Sequence, residues 1–305
     1  MVDTILTTAE LTLVDNVAAN FERWPTSYRN WCPTISIDPL PYTEFYALTD
    51  ANRPAFSKDG SYGAKLAVAK TKGTANTVWI KYDIEIPYAA MVAARKNGTP
   101  LLEQTVSEGL TKVDLEIESL IFKGLASETD AVAINGICDV GTDTSALDDA
   151  NAWDTPPAPF TNMRHNIAAL EALGYTGPYT MVASVNLKTG AANLHNAAAD
   201  KSHIELAREL LGIDTVGWAV NGTSTDLICY PLPAAAADDG VALYFQTKNP
   251  NNFRLAEAWR PRLQMYNNGV LNPKTMCFEG KIDWMGTIQI LRSAGIMFSN
   301  DINLA

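Results

Sequence analysis

Histidines, clustered aspartates and paired glutamates are the residues of this 305-residue chain whose types could support chemistry. His165, His195 and His203 are its only histidines, the first and third on predicted helices. A helical zinc site needs a second ligand one turn away, and neither has one at i+4, so all three are expected as surface or capping residues. Asp139, Asp143, Asp148, Asp149 and Asp154 lie close together but lack the D-x-D-x-D-G order and distal Glu of a calcium loop. They read as a solvated loop. Glu116 and Glu118, two apart on a helix, face different directions and cannot act as a paired acid and base. There is no Walker-type glycine loop, no G-x-S-x-G elbow and no HExxH, and Cys32, Cys138, Cys229 and Cys277 are scattered without CxxC spacing. No enzyme, cofactor or metal is expected.

Composition narrows the remaining classes. With 47% hydrophobic residues the chain can bury a large core. It has no run of 18 apolar residues and no basic-then-apolar leader, so a protein made and kept in a cytoplasm, with reduced thiols, is expected and no membrane partner is. A net charge of −11 repels nucleic acid, and no basic face for reading bases is visible.

Two elements stand out among those that must carry any function. The segment Thr77 to Pro87 alternates Val78, Ile80, Tyr82, Ile84 and Ile86 with polar residues, the period of a strand. Ser61 to Lys70 alternates more weakly, and Lys70, Thr71, Lys72 and Gly73 lead a turn that runs to Asn76. A long hairpin follows, packed in an antiparallel sheet or against another subunit. Next, Thr99-Pro100 opens a helix that Lys123-Gly124 closes, about 36 Å long. Leu102, Val106, Leu110, Val113, Ile117 and Leu120 form its apolar stripe, while Glu103, Glu108, Lys112, Glu116 and Glu118 mark the opposite face.

The other segments fill in an order. A helical stretch near Thr8 to Phe21 precedes a proline-rich, aromatic arm. After the long helix come a helix at Thr161 to Leu173, a strand after Gly177-Pro178, and a helix at Ala198 to Leu211. Strands are expected at Thr225 to Pro231, Val241 to Thr247 and within Lys274 to Phe298. The layout is α+β.

This order resembles the major capsid proteins of tailed bacteriophages, a fold shared with encapsulin shells. The residues that carry the likeness are Asp83-Ile84-Glu85-Ile86-Pro87, Gly98-Thr99-Pro100-Leu101-Leu102, Leu120-Ile121-Phe122-Lys123-Gly124, Ile134-Asn135-Gly136-Ile137, Gly177-Pro178-Tyr179 and Gly295-Ile296. The resemblance implies an N-terminal arm (1–55) and an extended hairpin loop (56–88) whose tip, Lys70 to Gly73, reaches a neighbouring subunit. It implies a peripheral domain with the spine helix (89–129), an axial domain (130–260) and return strands of the peripheral domain (261–305).

By the same resemblance, the chain is a homo-oligomer of hexamers and pentamers forming an icosahedral shell around double-stranded DNA, without sequence-specific binding. A separate scaffolding protein and a portal would be partners, and the virion, assembled in a host cytoplasm, its location. An encapsulin-type compartment around a cargo enzyme is the alternative. Some relatives cross-link a hairpin Lys to a neighbour's Asn, for which Lys65, Lys70, Lys72, Asn267 and Asn268 are the matching residue types. A soluble enzyme with an undetected site is the reading from another class.

Overall fold

In the computed structural model, residues 28–40, 42–48, 70–97, 101–125, 134–143, 153, 157–195, 200–219 and 239–303 are described. Their order is α1 (Tyr28–Trp31), β1 (Thr34–Ser36), β2 (Tyr42–Leu48), β3 (Lys70–Asn76), β4 (Val78–Pro87), α2 (Tyr88–Asn97) and the long α3 (Leu101–Lys123). Two short strands follow, β5 (Gly124–Leu125) and β6 (Ile134–Asn135), then α4 (Ile137–Val140), β7 (Thr142–Asp143), α5 (Ala158–Ala172) and β8 (Tyr179–Ser184). The remainder is α6 (Lys188–Ala192), α7 (His203–Leu211), β9 (Ile213–Ala219), β10 (Asp239–Gln246), β11 (Phe253–Met265), β12 (Cys277–Ile290) and β13 (Ile296–Asn303).

Two sheets organise these elements. The first has the order β1-β11-β12-β4, with β1 parallel to β11 and the other neighbours antiparallel. Strand β4 alternates as its sequence predicts: Ile84 and Ile86 are buried, whereas Trp79, Lys81, Asp83 and Glu85 face out. Helix α3 lies on the apolar face, and Leu102, Val106, Leu110, Val113, Ile117 and Leu120 are all buried there. Gly109 permits the close approach, since a Cβ would stand 2.7 Å from Ile282.

The second sheet has the order β7-β13-β10-β8-β9. It is covered on both faces, so β8 is buried at every position. Alternate residues divide between two cores. Val182, Leu243, Phe245, Ile296 and Phe298 join the core that holds α3, while Met181, Ala183, Ala242, Tyr244 and Met297 join one containing α5 and α7 residues such as Ile167, Leu170 and Ala207. Trp31 bridges the two sheets, with its ring 5.4 Å from Phe122, 5.5 Å from Phe245 and 6.2 Å from Phe253.

Several expectations need correction. Lys70, Thr71, Lys72 and Gly73 form no turn: Lys70–Asn76 is a strand, antiparallel to Tyr42–Leu48 with Gly73 opposite Phe45. The β-branched Thr71 and Thr74 suit extended backbone, and a glycine is tolerated within a strand as well as in a turn. The ribbon therefore starts within the predicted arm, and residues 49–69, which include the expected strand from Ser61, join its strands outside the described residues. Thr77 breaks the run between β3 and β4, where its hydroxyl donates to the Leu40 carbonyl. Helix α2 was not expected.

The terminal strands also divide between the sheets: β11 and β12 belong to the first, whereas β13 pairs with β10 in the second. Strand β11 continues through residue 260, where a boundary was expected, and its register shifts around Pro261. Proline there lacks the ladder N–H and hid the strand from its pattern. Helix α7 starts at His203, later than expected, because Ser202 caps it in a box with Glu205. The predicted helix at Thr8 to Phe21, the start at Thr99-Pro100 and the strand at Thr225 to Pro231 lie outside the described residues.

Candidate functional site

The entering segment is fastened to the helix by buried polar side chains and to the first sheet by backbone bonds, with Leu255 N–H donating to the Pro33 carbonyl and Ile37 N–H to that of Glu257. Tyr28 donates its hydroxyl to Asp114 Oδ1 at 2.7 Å, and Arg29 reaches the same oxygen at 3.3 Å. Burial, reinforced by the adjacent Asp114 charge, holds the Tyr28 phenol well above its ordinary pKa. On β11, Glu257 accepts a hydrogen bond from Trp284 Nε1 at 2.8 Å. Burial pushes its carboxyl upward, opposed by that bond and by Arg29. Sequence reading missed this cluster, although its signal was present. Val106 and Leu110 begin an i+4 row that continues with Asp114 and Glu118, so two acids sit on the helix's apolar face, and both are buried. Glu118 therefore does not belong to the exposed face on which it was expected. Glu108 and Lys112 do pair as expected, at 2.8 Å on the surface.

The face of the first sheet away from α3 is polar with an aromatic end. Trp79 and Trp259 meet edge to face at 5.9 Å across the sheet. Lys81 lies 3.8 Å over Trp79, and Arg262 lies 4.1 Å over Trp259. Asp283 between them is fully buried and pairs with Arg262 at 3.0 Å and Lys281 at 3.3 Å. Farther along, Glu85 stands opposite Glu279, whose carboxylate is held by Asn272 at 2.9 Å. At the ribbon's root Gln289 Nε2 of β12 donates to Thr43 Oγ1 of β2 at 3.2 Å.

The residues with chemical potential fall out differently from one another. His203 is fully buried, contrary to the expected surface or capping role, and its Nδ1 lies 3.3 Å from His195 Nδ1. Burial, and then the neighbouring His195, lowers the His203 pKa to about 4. Of the acidic loop, Asp139 caps α4 by accepting from the Gly136 amide at 2.9 Å, and Asp148, Asp149 and Asp154 lie outside the described residues. Cys32 is buried, and burial lifts its thiol pKa far above the ordinary range. Asn267 and Asn268 are exposed in the turn after β11, both in left-handed conformation with φ of 49° and 54°. Lys65 lies outside the described residues. Among the described residues no helix is long and apolar enough to cross a membrane.

What the arrangement offers is surface and fastening: a two-stranded ribbon beside the first sheet, a helix packed on that sheet, and a second sheet covered on both faces. No family model matches the chain, and no curated protein matches it by sequence. Its backbone is nevertheless similar to solved shell proteins along nearly its whole length. The virus-like particle from Pyrococcus furiosus superposes with a TM-score of 0.63 at 12% identity, covering 96% of this chain and 100% of that one. The capsid of Myoviridae phage XM1 gives 0.63 at 10% identity, covering 90% and 91%. A chain of Mycobacterium phage Ogopogo gives 0.62 at 11% identity, covering 91% of this chain and 92% of that one. At such identities the likeness carries architecture, and the architecture is the HK97-like capsid fold of tailed-phage major capsid proteins and encapsulin-type shells.

Proposed function

We propose that this protein is the major capsid protein of a tailed-phage-type shell, a structural subunit that self-assembles into hexamers and pentamers closing an icosahedron around double-stranded DNA. One observation carries the reading: the backbone likeness covers 96% of this chain and 100% of the Pyrococcus particle subunit, and 90% and 91% of this chain and the phage XM1 capsid chain. The first sheet with α3 acts as the peripheral unit, and the second sheet with α5 to α7 as the axial unit. The β2–β3 ribbon and residues 49–69 form the arm that clasps the next copy, so part of each subunit's stability resides in the assembly. A net charge of −11 suits a container whose genome is driven in by a motor rather than gathered by affinity. Scaffolding and portal proteins are separate partners, and the virion, assembled in a host cytoplasm, is the location.

The likeness to the Pyrococcus particle, which covers the whole of that chain, favours one second reading: an encapsulin-type compartment enclosing a cargo enzyme. Electron microscopy and sedimentation of the expressed protein test the shell. Closed particles or capsomers are expected, and a stable monomer at micromolar concentration in native salt would overturn both readings. Contents then separate them, a genome and portal on one side and a single co-purifying enzyme on the other.

A further inference from the structure

The loop between α6 and α7 brings together two histidines eight residues apart. Leu194 bridges Ser202, the His195 amide donates to the Lys201 carbonyl at 3.2 Å, and the His203 amide donates to the Asn193 carbonyl at 3.1 Å. This closure faces the rings toward each other with Nδ1 atoms 3.3 Å apart, centroids 5.2 Å apart and planes at 80°. Phe160 of α5 packs edge-on against His195 at 5.3 Å. His203 Nε2 is buried, with no hydrogen-bond partner among the described residues.

We propose that His195 and His203 form a two-histidine site for Zn²⁺, bound through both Nδ1 atoms. Magnitudes favour this cation and this geometry. Two imidazole nitrogens about 2.0–2.1 Å from zinc at a tetrahedral angle stand about 3.3 Å apart, whereas the right angles preferred by Cu²⁺ or Ni²⁺ bring them to about 2.9 Å. Rings converging on such a centre have centroids about 5.2 Å apart, while a linear N–H···N bond of the same length sets them about 5.6 Å apart. The observed pair matches the convergent case on both distances.

Binding moves the proton of the inter-ring hydrogen bond to the free Nε2 of the ring that loses it. His203 Nε2 is unpartnered in either state, so loading forgoes little beyond that one bond. Two of the neighbouring charges are engaged: Lys201 pairs with Glu209, and Glu205 accepts from the Ser202 amide. Among the described residues no third His, Cys, Asp or Glu joins the pair, so water fills the other two positions and the site is of modest affinity. Its effect is to hold Asn193–His195 against Lys201–His203, adding to the backbone bonds that already join them.

The test is equilibrium dialysis of the full chain against ZnCl₂ near pH 7.5, comparing wild type with His195→Ala, a substitution at the less buried ring. Zinc held by thiols is common to both and cancels in the difference. Wild type is expected to bind one more Zn²⁺ per chain, and to show a zinc-dependent rise in melting temperature that the variant lacks. Equal uptake by both proteins overturns the site. Should His195→Ala not fold, Co²⁺ added to the unaltered protein decides: intense visible bands of tetrahedral cobalt are expected, and only the weak bands of octahedral cobalt would refute it. Neither readout depends on shell assembly, so failure here leaves the capsid reading untouched.

Discussion

The Tyr28 hydroxyl and Asp114 Oδ1 are 2.7 Å apart, and this bond joins the segment entering the fold to the middle of α3. Among the described residues Asp114 Oδ2 has no hydrogen-bond partner, so the carboxylate depends on what reaches its other oxygen. Removing the hydroxyl alone, as Tyr28→Phe, leaves a buried acceptor held only by Arg29 and is expected to cost about 1–3 kcal/mol. Thermal unfolding of the variant measures it. An unchanged melting temperature would show that the bond is replaced by water.

Gly124 and Gly136 cross where β5 meets β6. Gly124 has φ of +69°, and a Cβ there would stand 1.9 Å from the Ile134 carbonyl oxygen; at Gly136 it would stand 2.2 Å from that of Phe122. Backbone cannot yield as a side-chain tip can. Alanine at either position is expected to abolish soluble protein. Gly174, with φ of +86° and open space around it, isolates the conformational strain alone, and Gly174→Ala should cost only about 1–2 kcal/mol. Comparable losses in all three variants, read by soluble yield and melting temperature, would remove the steric argument.

Glu257 gives a pH dependence with a definite sign. Its folded pKa is raised, chiefly by burial, so the folded state holds the proton more tightly than the unfolded chain does. That contribution is fully present below the unfolded value, about 4.3, and is lost as pH rises through the folded one. Glu257→Gln retains an acceptor for Trp284 and removes the titration. Lowering the pH from 7 toward 4.5 should therefore raise the melting temperature of wild type relative to this variant. A constant or opposite difference would contradict the assignment.

Legibility in the sequence followed the range of the forces involved. Helix α3 could be read because its stripe is periodic and Gly124 ends it, both local properties. Strand β4 was legible for the same reason, and the order of segments was enough to suggest the capsid architecture. Strand β11 was hidden by Pro261, whose place beside a register shift depends on its neighbour β12. Gly73 read as a turn because its pairing with β2 spans a long separation in sequence. The His195–His203 contact escaped a search at helical spacing because a loop, not a helix, creates it.

The ribbon supplies the sharpest test of assembly. Leu48 and Lys70 pair directly, so the strands that carry residues 49–69 end side by side. Replacing 49–69 with Asn-Gly closes the ribbon through a two-residue turn without disturbing the β2–β3 register. The two sheets and α3 lie outside the deletion, and their packing should leave far-ultraviolet circular dichroism per folded residue close to wild type. If the removed arm clasps the next copy, the variant should remain as capsomers or smaller species and form no closed shells. Negative-stain microscopy and sedimentation distinguish these outcomes, and wild-type particles from the shortened chain would refute the clasp while sparing the fold.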